Sequence, residues 1–416
     1  LSFAFFLFAF LSCCTFFSWS SLFLFFVLLL VLSIKITMGL FWSEEVKEDK
    51  GSEGLLDKLP QVPKDEDGYV VSFGIDEKEN ILKFFEEYGF VVVREVIDNE
   101  QIAKTLDELW SNTEELSIDS IKRDDPATWG SNWPAGQVGI LGNQVASGEQ
   151  AWNNRQNENI LRLFQYLYGK EAGEGEGELL SSVDRYGIMR PTVNVPLGKD
   201  TDEKEDKPRW RGPPSWLHWD LNPWIWSGTA PPVSFEQKKF DVLRDGNFIS
   251  EMNGSPPDLC PIKLQGILVL GDSKEDDGGF LCVAGFQKIL KEWAKQNRKA
   301  SSMSFIQINK TDEMIEKATP ITARRGSFIV WSSELPHCNY PNKSENFRFA
   351  QYIKMFPSKM VEDKEGRAQA VKMRLPKDYV VSEVGMQTLG MKYYQPPPDA
   401  SSSSSPSSSS SSSSPS

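Results

Sequence analysis

The sequence predicts a mainly β fold with flanking helices, a sandwich or jelly roll. After Gly177 the chain breaks into short apolar runs separated by turn residues, without the strand–helix alternation of a parallel α/β sheet. The stretches of strong helical period all precede that point. No glycine-rich phosphate loop follows a candidate strand, and Glu171 to Glu178 alternates Gly with Glu, a pattern that would repel phosphate.

Taken in order, Asp76 to Glu87 places Ile81, Leu82, Phe84 and Phe85 at helical spacing, and Tyr88-Gly89-Phe90-Val91-Val92-Val93 then reads as a buried strand. A second helix opens at Asp98, with Gln101 as its capping-box partner and Ile102, Leu106, Leu109 and Trp110 as its apolar face. A third carries Ile160, Leu163, Phe164, Leu167 and Tyr168 and stops at Gly169. Between them, Trp129 to Trp152 is rich in Gly and Asn and reads as a lid or binding loop or as a surface excursion. Six later strands are expected, over Arg185–Val195, Ile262–Leu270, Gly279–Ala284, Ser304–Ile308, Gly326–Trp331 and Phe347–Phe356.

The 416 residues, 40% apolar and 12% aromatic, suffice for a substantial core. The net charge of −13 falls between Met38 and Lys392, an acidic body that argues against nucleic acid as a partner. Five scattered cysteines, with no CxxC spacing, indicate neither a disulfide framework nor a zinc ribbon and suit a reducing compartment.

The expected organisation is an apolar leader over 1–37, a polar linker over 38–67, a folded domain over 68–392 and a disordered Pro/Ser tail over 393–416. Leu1 to Ile34 is uncharged and long enough to span a bilayer. Its Phe/Leu/Ser composition and the lack of an initial Met favour a gene-model artefact over a membrane segment, with a cleaved signal peptide third. A start at Met38 makes the working protein cytoplasmic, with Met38-Gly39-Leu40-Phe41-Trp42-Ser43 fitting a myristoylation signal; the alternative is anchoring through residues 1–34.

The chain has two histidines. In Trp216-Leu217-His218-Trp219-Asp220, strand alternation sends His218 and Asp220 to one face. His337 follows a strand in Glu334-Leu335-Pro336-His337, where a Pro-containing turn can swing its imidazole toward that pair. Two imidazoles and a carboxylate form the facial triad that leaves positions on iron open. Arg348, on the strand after His337, has the fork geometry that grips a carboxylate. Either histidine taken alone is as well explained by packing, and Arg348 alone by an ion pair.

Together these segments resemble the phytanoyl-CoA dioxygenase-like family of iron(II)/2-oxoglutarate oxygenases over Asp76 to Pro357. The resemblance rests on Tyr88–Val93, His218-Trp219-Asp220, Asp277-Gly278-Gly279-Phe280-Leu281 leading to Gly285-Phe286-Gln287-Lys288, Arg325–Trp331, and His337 trailed by Asn342, Ser344 and Arg348. It implies a double-stranded β-helix, a cupin-like jelly roll, in which His218, Asp220 and His337 are catalytic metal ligands for Fe(II). Arg348, helped by Asn339, would hold the co-substrate 2-oxoglutarate, and O2 would be the oxidant. Where members often have Pro-Gly-Ser-His, this chain has Ala284-Gly285-Phe286-Gln287. Halogenating relatives replace the carboxylate at position 220, so its retention implies hydroxylation of a small-molecule substrate, organic or lipid-like. Trp210, Trp216, Trp219, Trp224 and Trp226 either line an apolar pocket or fill the core, and Lys207, Arg209 and Arg211 are the nearest basic patch for a coenzyme A thioester. The alternatives are a cupin-like metal protein that does not use 2-oxoglutarate, against which Arg348 speaks, and a non-catalytic binding module, against which the intact triad speaks.

Overall fold

A computed structural model describes residues 54–118, 120–130, 132–169, 178–229, 263–298, 306–361 and 363–396. The chain divides into residues 1–51 and 52–416, and everything described lies in the second unit. The apolar leader, the candidate myristoylation signal, most of the Gly/Glu run, the first residues of two expected strands (Ile262, Ser304) and nearly all of the Pro/Ser tail lie outside the described residues. No described helix is long and apolar enough to cross a membrane.

The β-branched run Phe90–Val93 is buried at every position because it lies inside a sheet covered on both faces. That sheet has the order β1 (Ser72–Phe73), β2 (Phe90–Val93), β12 (Phe328–Ser332), β8 (Leu264–Val269), β14 (Arg348–Tyr352) and β4 (Tyr186–Met189). Alternation along β12 shows what covers each side. Phe328 meets Phe164 of a flanking helix with ring centroids 5.9 Å apart, whereas Trp331 meets Phe280 of the opposing sheet at 4.3 Å. The opposing sheet has the order β10 (Ile306–Gln307), β7 (His218–Trp219), β13 (His337–Asn339), β9 (Phe280–Cys282) and β11 (Thr319–Ile321). Two-stranded ribbons β3 (Leu179–Ser181) with β15 (Met355–Pro357), and β5 (Val195–Pro196) with β6 (Lys204–Glu205), complete the β structure.

Two runs of successive strands alternate between the two large sheets. β7, β8 and β9 do so, and β12, β13 and β14 do so again. This winding is the double-stranded β-helix, so the expected jelly roll with flanking helices is the observed fold.

Helices α1 (Lys78–Tyr88), α2 (Asn99–Leu116), α3 (Glu149–Arg155) and α4 (Glu158–Tyr168) form the N-terminal flank. Gly89 ends α1 at φ 73°, and a side chain there would strike Gln287 and Leu335. Asp98 caps α2 by accepting from the Gln101 amide at 2.8 Å, a contact of the kind that contributes about 1 kcal/mol. The reciprocal half of the expected capping box is replaced, because the Gln101 carboxamide donates to Asn154 of α3 at 2.8 Å. α5 (Pro223–Trp226), α6 (Leu290–Gln296) and α7 (Met314–Lys317) pack against the second sheet's side of the core. α8 (Lys364–Arg374) and α9 (Glu383–Thr388) pair with the β3–β15 ribbon in a smaller core around Trp152, Leu180 and Phe356.

Two further expectations differ from the structure. The described part of the polar stretch before residue 68 is packed, not a linker: Leu56 is buried, and Arg324 binds both Asp65 and Asp67 at 2.6 Å. Arg324 lies more than 250 residues from both aspartates, so local composition does not reveal the pairing. The Gly/Asn-rich loop is not a free excursion, since Leu141 donates to Tyr186 and Gly139 accepts from Ile188, which adds it to the β4 edge.

Candidate active site

β7 and β13 are neighbours in which His337 is the backbone partner of His218. Antiparallel partners project to the same side, so both imidazoles enter the space between the sheets. Asp220 follows at the bend that ends β7. Its Oδ1 lies 3.5 Å from His218 Nε2 and its Oδ2 lies 3.6 Å from His337 Nε2. All three donor atoms fall within 4.8 Å of one another, close enough to share one ion.

The protonation pattern suits ligation. His218 Nδ1 lies 3.0 Å from the Trp216 carbonyl and His337 Nδ1 lies 3.0 Å from the Leu335 carbonyl. A carbonyl accepts only, so each Nδ1 carries the proton and each Nε2 turns its lone pair toward Asp220. Burial pushes His337 below the usual imidazole value, which keeps it neutral. Burial alone would raise the Asp220 carboxyl, but the nearness of His218 and His337 outweighs it and holds the group well below the carboxylate range. Two neutral imidazoles and one carboxylate are the donor set of a mononuclear iron(II) centre with open positions, and the residues present therefore fit that metal.

Two residues beyond His337, on the same face of β13, Asn339 reaches toward Arg348 of β14. Its Oδ1 accepts from Arg348 Nη2 at 3.4 Å, and its Nδ2 donates to the Tyr352 hydroxyl at 3.0 Å. Arg348 Nη1 also approaches the Tyr352 hydroxyl at 3.4 Å. Arg348 is 3% exposed, and among the described residues no carboxylate lies within 4.0 Å of its guanidinium. A buried cation held by two long neutral contacts is suited to receive an anion. Gly187 makes room for it, since a Cβ there would sit 2.5 Å from Arg348 Nη1.

The tryptophan-rich stretch is divided. Trp219 packs on Phe286 and Trp293, Trp224 on Trp293, and both are core residues. Only Trp216 stacks on a triad member, His218, at 4.8 Å. Trp210 instead lies under Arg190 at 4.2 Å. Lys207 pairs with Glu205, Arg211 donates to Thr192, and Arg209 is exposed. Asn342 and Ser344 shape the turn into β14: the Asn342 Oδ1 accepts from the Ser344 amide, and Asn342 Nδ2 donates to the Asn346 carbonyl. Sequence reasoning missed Tyr352 and Gly187; the four-residue step from Arg348 to Tyr352 along one strand face is the signal that was available for Tyr352.

A jelly roll that brings this donor set beside a buried guanidinium resembles the iron(II)- and 2-oxoglutarate-dependent oxygenases. The profile of the family described as Phytanoyl-CoA dioxygenase (PhyH) matches residues 244–350. A Dictyostelium discoideum protein named "Putative phytanoyl-CoA dioxygenase" is 29% identical over 359 residues, which cover 79% of this chain and 96% of that protein. The likeness to the phytanoyl-CoA dioxygenase-like family read from the sequence is thereby borne out, with iron(II), 2-oxoglutarate and O2 as the cofactors of the class. Among solved structures, the epimerase SnoN in complex with Fe3+, alpha ketoglutarate and nogalamycin RO is similar at 14% identity and TM-score 0.39, over 68% of this chain and 84% of that one. A hypothetical protein from Escherichia coli, JW0805, is similar at 13% identity and TM-score 0.44, over 74% and 76% respectively.

Proposed function

We propose that the protein hydroxylates a small organic or lipid-like substrate, with His218, Asp220 and His337 holding iron(II) and Arg348, Asn339 and Tyr352 holding the far carboxylate of 2-oxoglutarate. One observation carries the reading: His337 and Asn339 share a face of β13, and Asn339 touches Arg348, a buried guanidinium that lacks a carboxylate partner among the described residues. A metal ligand and an anion anchor therefore stand two residues apart on a rigid strand, as a chelating oxo-dicarboxylate requires.

Bound iron(II) with 2-oxoglutarate supplies oxidation of a C–H bond by O2, the co-substrate leaving as succinate and CO2. The chain's residues position and exclude water. The carbonyls of Trp216 and Leu335 fix the tautomers of the two histidines. Phe280 and Trp331, at 6.0 and 5.3 Å from the His337 ring, wall the site with apolar surface. Retention of a carboxylate at Asp220 favours hydroxylation over halogenation, since it occupies the place a halide would need.

Anaerobic titration of the apo-protein with iron(II) and 2-oxoglutarate tests the reading. A weak visible charge-transfer band that needs both components is expected, followed in air by succinate formation. Absence of the band at saturating iron overturns it.

A further inference from the structure

Of the three triad residues, His218 and His337 lie on paired strands, whereas Asp220 lies on the bend beyond β7. The bend is flanked by two tryptophans whose indoles turn to the same residue. Trp219 Nε1 donates to the Glu334 carbonyl at 2.9 Å, and Trp226 Nε1 donates to Glu334 Oε1 at 2.8 Å. Glu334 sits three residues before His337 in the turn from β12. Ser332 fixes the turn, its hydroxyl donating to Glu334 Oε2 at 3.3 Å and accepting from the Glu334 amide at 3.2 Å. On the Asp220 side, Asn222 Oδ1 accepts from the Trp224 and Ile225 amides and thereby caps the short helix that carries Trp226. The Glu334 carboxylate belongs to a residue that lines a cleft of about 520 Å³ with Phe85, Leu290, Lys263 and Lys291, and no triad residue lines it.

We infer that Glu334 is a positioning residue for the metal centre, clamping the segment that carries Asp220 to the turn that carries His337 through two indole N–H bonds. The inference rests on the triad reading above and adds what sets the separation of its two halves. Either tryptophan filling core space would serve as well with any apolar contact at its N–H, yet both N–H groups end on one residue, and that residue leads directly into the distal histidine. A shell partner of this kind changes metal affinity about 10- to 100-fold when removed.

The test is cobalt(II) titration of the apo-protein, read by the visible absorption of the bound ion, for wild type, Glu334→Leu, Glu334→Gln, Trp226→Phe and His337→Ala. Glu334→Leu is expected to weaken cobalt(II) binding by about 10- to 100-fold. Glu334→Gln, whose amide oxygen still accepts the Trp226 indole, is expected to restore it to within about threefold of wild type, and Trp226→Phe, which removes the same indole bond from the other partner, to weaken binding to a similar extent, since the Trp219 bond to the Glu334 backbone carbonyl survives in all three variants. Wild-type affinity in both Glu334→Leu and Trp226→Phe, or a glutamine variant as weak as the leucine one, overturns the clamp while leaving the triad intact. Undiminished binding in His337→Ala overturns the triad reading itself.

Discussion

His337 and His218 are direct backbone partners across the β7–β13 pair, with their ring centroids 4.7 Å apart. The separation of two proposed ligands is thus set by sheet hydrogen bonding rather than by loop conformation, and a preorganised donor pair follows.

These are the chain's only two histidines, so no other imidazole can substitute. His218→Ala or His337→Ala is expected to abolish tight iron(II) binding and all 2-oxoglutarate turnover. Metal content after dialysis, measured beside circular dichroism to establish folding, checks it; full occupancy in either variant refutes it.

Arg348→Ala should act on the co-substrate and leave the metal nearly untouched, because the guanidinium contacts Asn339 and Tyr352 and no triad residue within hydrogen-bonding distance. Truncating a buried charge-pair partner costs about 2 to 5 kcal/mol, or roughly one to four orders of magnitude in affinity. The loss is expected in KM for 2-oxoglutarate, with Lys milder than Ala at this position. An unchanged KM places the anchor elsewhere.

Gly187→Ala offers a subtler probe of the same pocket. The added methyl would lie 2.5 Å from Arg348 Nη1 and 3.3 Å from the Gly139 carbonyl, so the flexible end of the arginine must move. Stability is expected to change by about 1 kcal/mol or less, since Gly187 is in ordinary extended backbone, while KM for 2-oxoglutarate rises. Thermal melts and steady-state kinetics separate the two effects, and a normal KM with a normal melt removes Gly187 from the pocket.

Burial raises the Glu334 carboxyl above its ordinary value of 4.5, partly offset by bonds from Trp226 and Ser332 and by Lys263. The unfolded chain therefore loses this proton at lower pH than the folded one, and stability falls as pH rises from 4.5 through the folded value. Glutamine has no such proton. The difference in Tm between Glu334→Gln and wild type should accordingly shift in favour of the variant between pH 4.5 and pH 7. A pH-independent difference contradicts the burial argument.

The sequence by itself determined what local periodicity and residue chemistry encode. The helical faces of α1, α2 and α4 were legible because an amphipathic period needs only its own side chains, and β2 and β12 because a β-branched or apolar run has few other uses. The scarcity of histidine and the guanidinium at Arg348 marked the candidate site before any contact was known. What the tertiary structure alone decided depends on partners distant in sequence. β7 and β13 are two and three residues long and are strands only because each pairs with the other and with a neighbour. α8 lacks a strong apolar face, and its Arg367 is buried against the carbonyls of Leu389 and Ser181, which no pattern in 364–374 announces. Among the five tryptophans, composition could not tell Trp216, stacked on His218, from Trp219 and Trp226, whose indoles meet at Glu334. A side chain's role there follows from where a strand or turn some 100 residues away places its partner, and that placement is fixed by how the two sheets wind about one core.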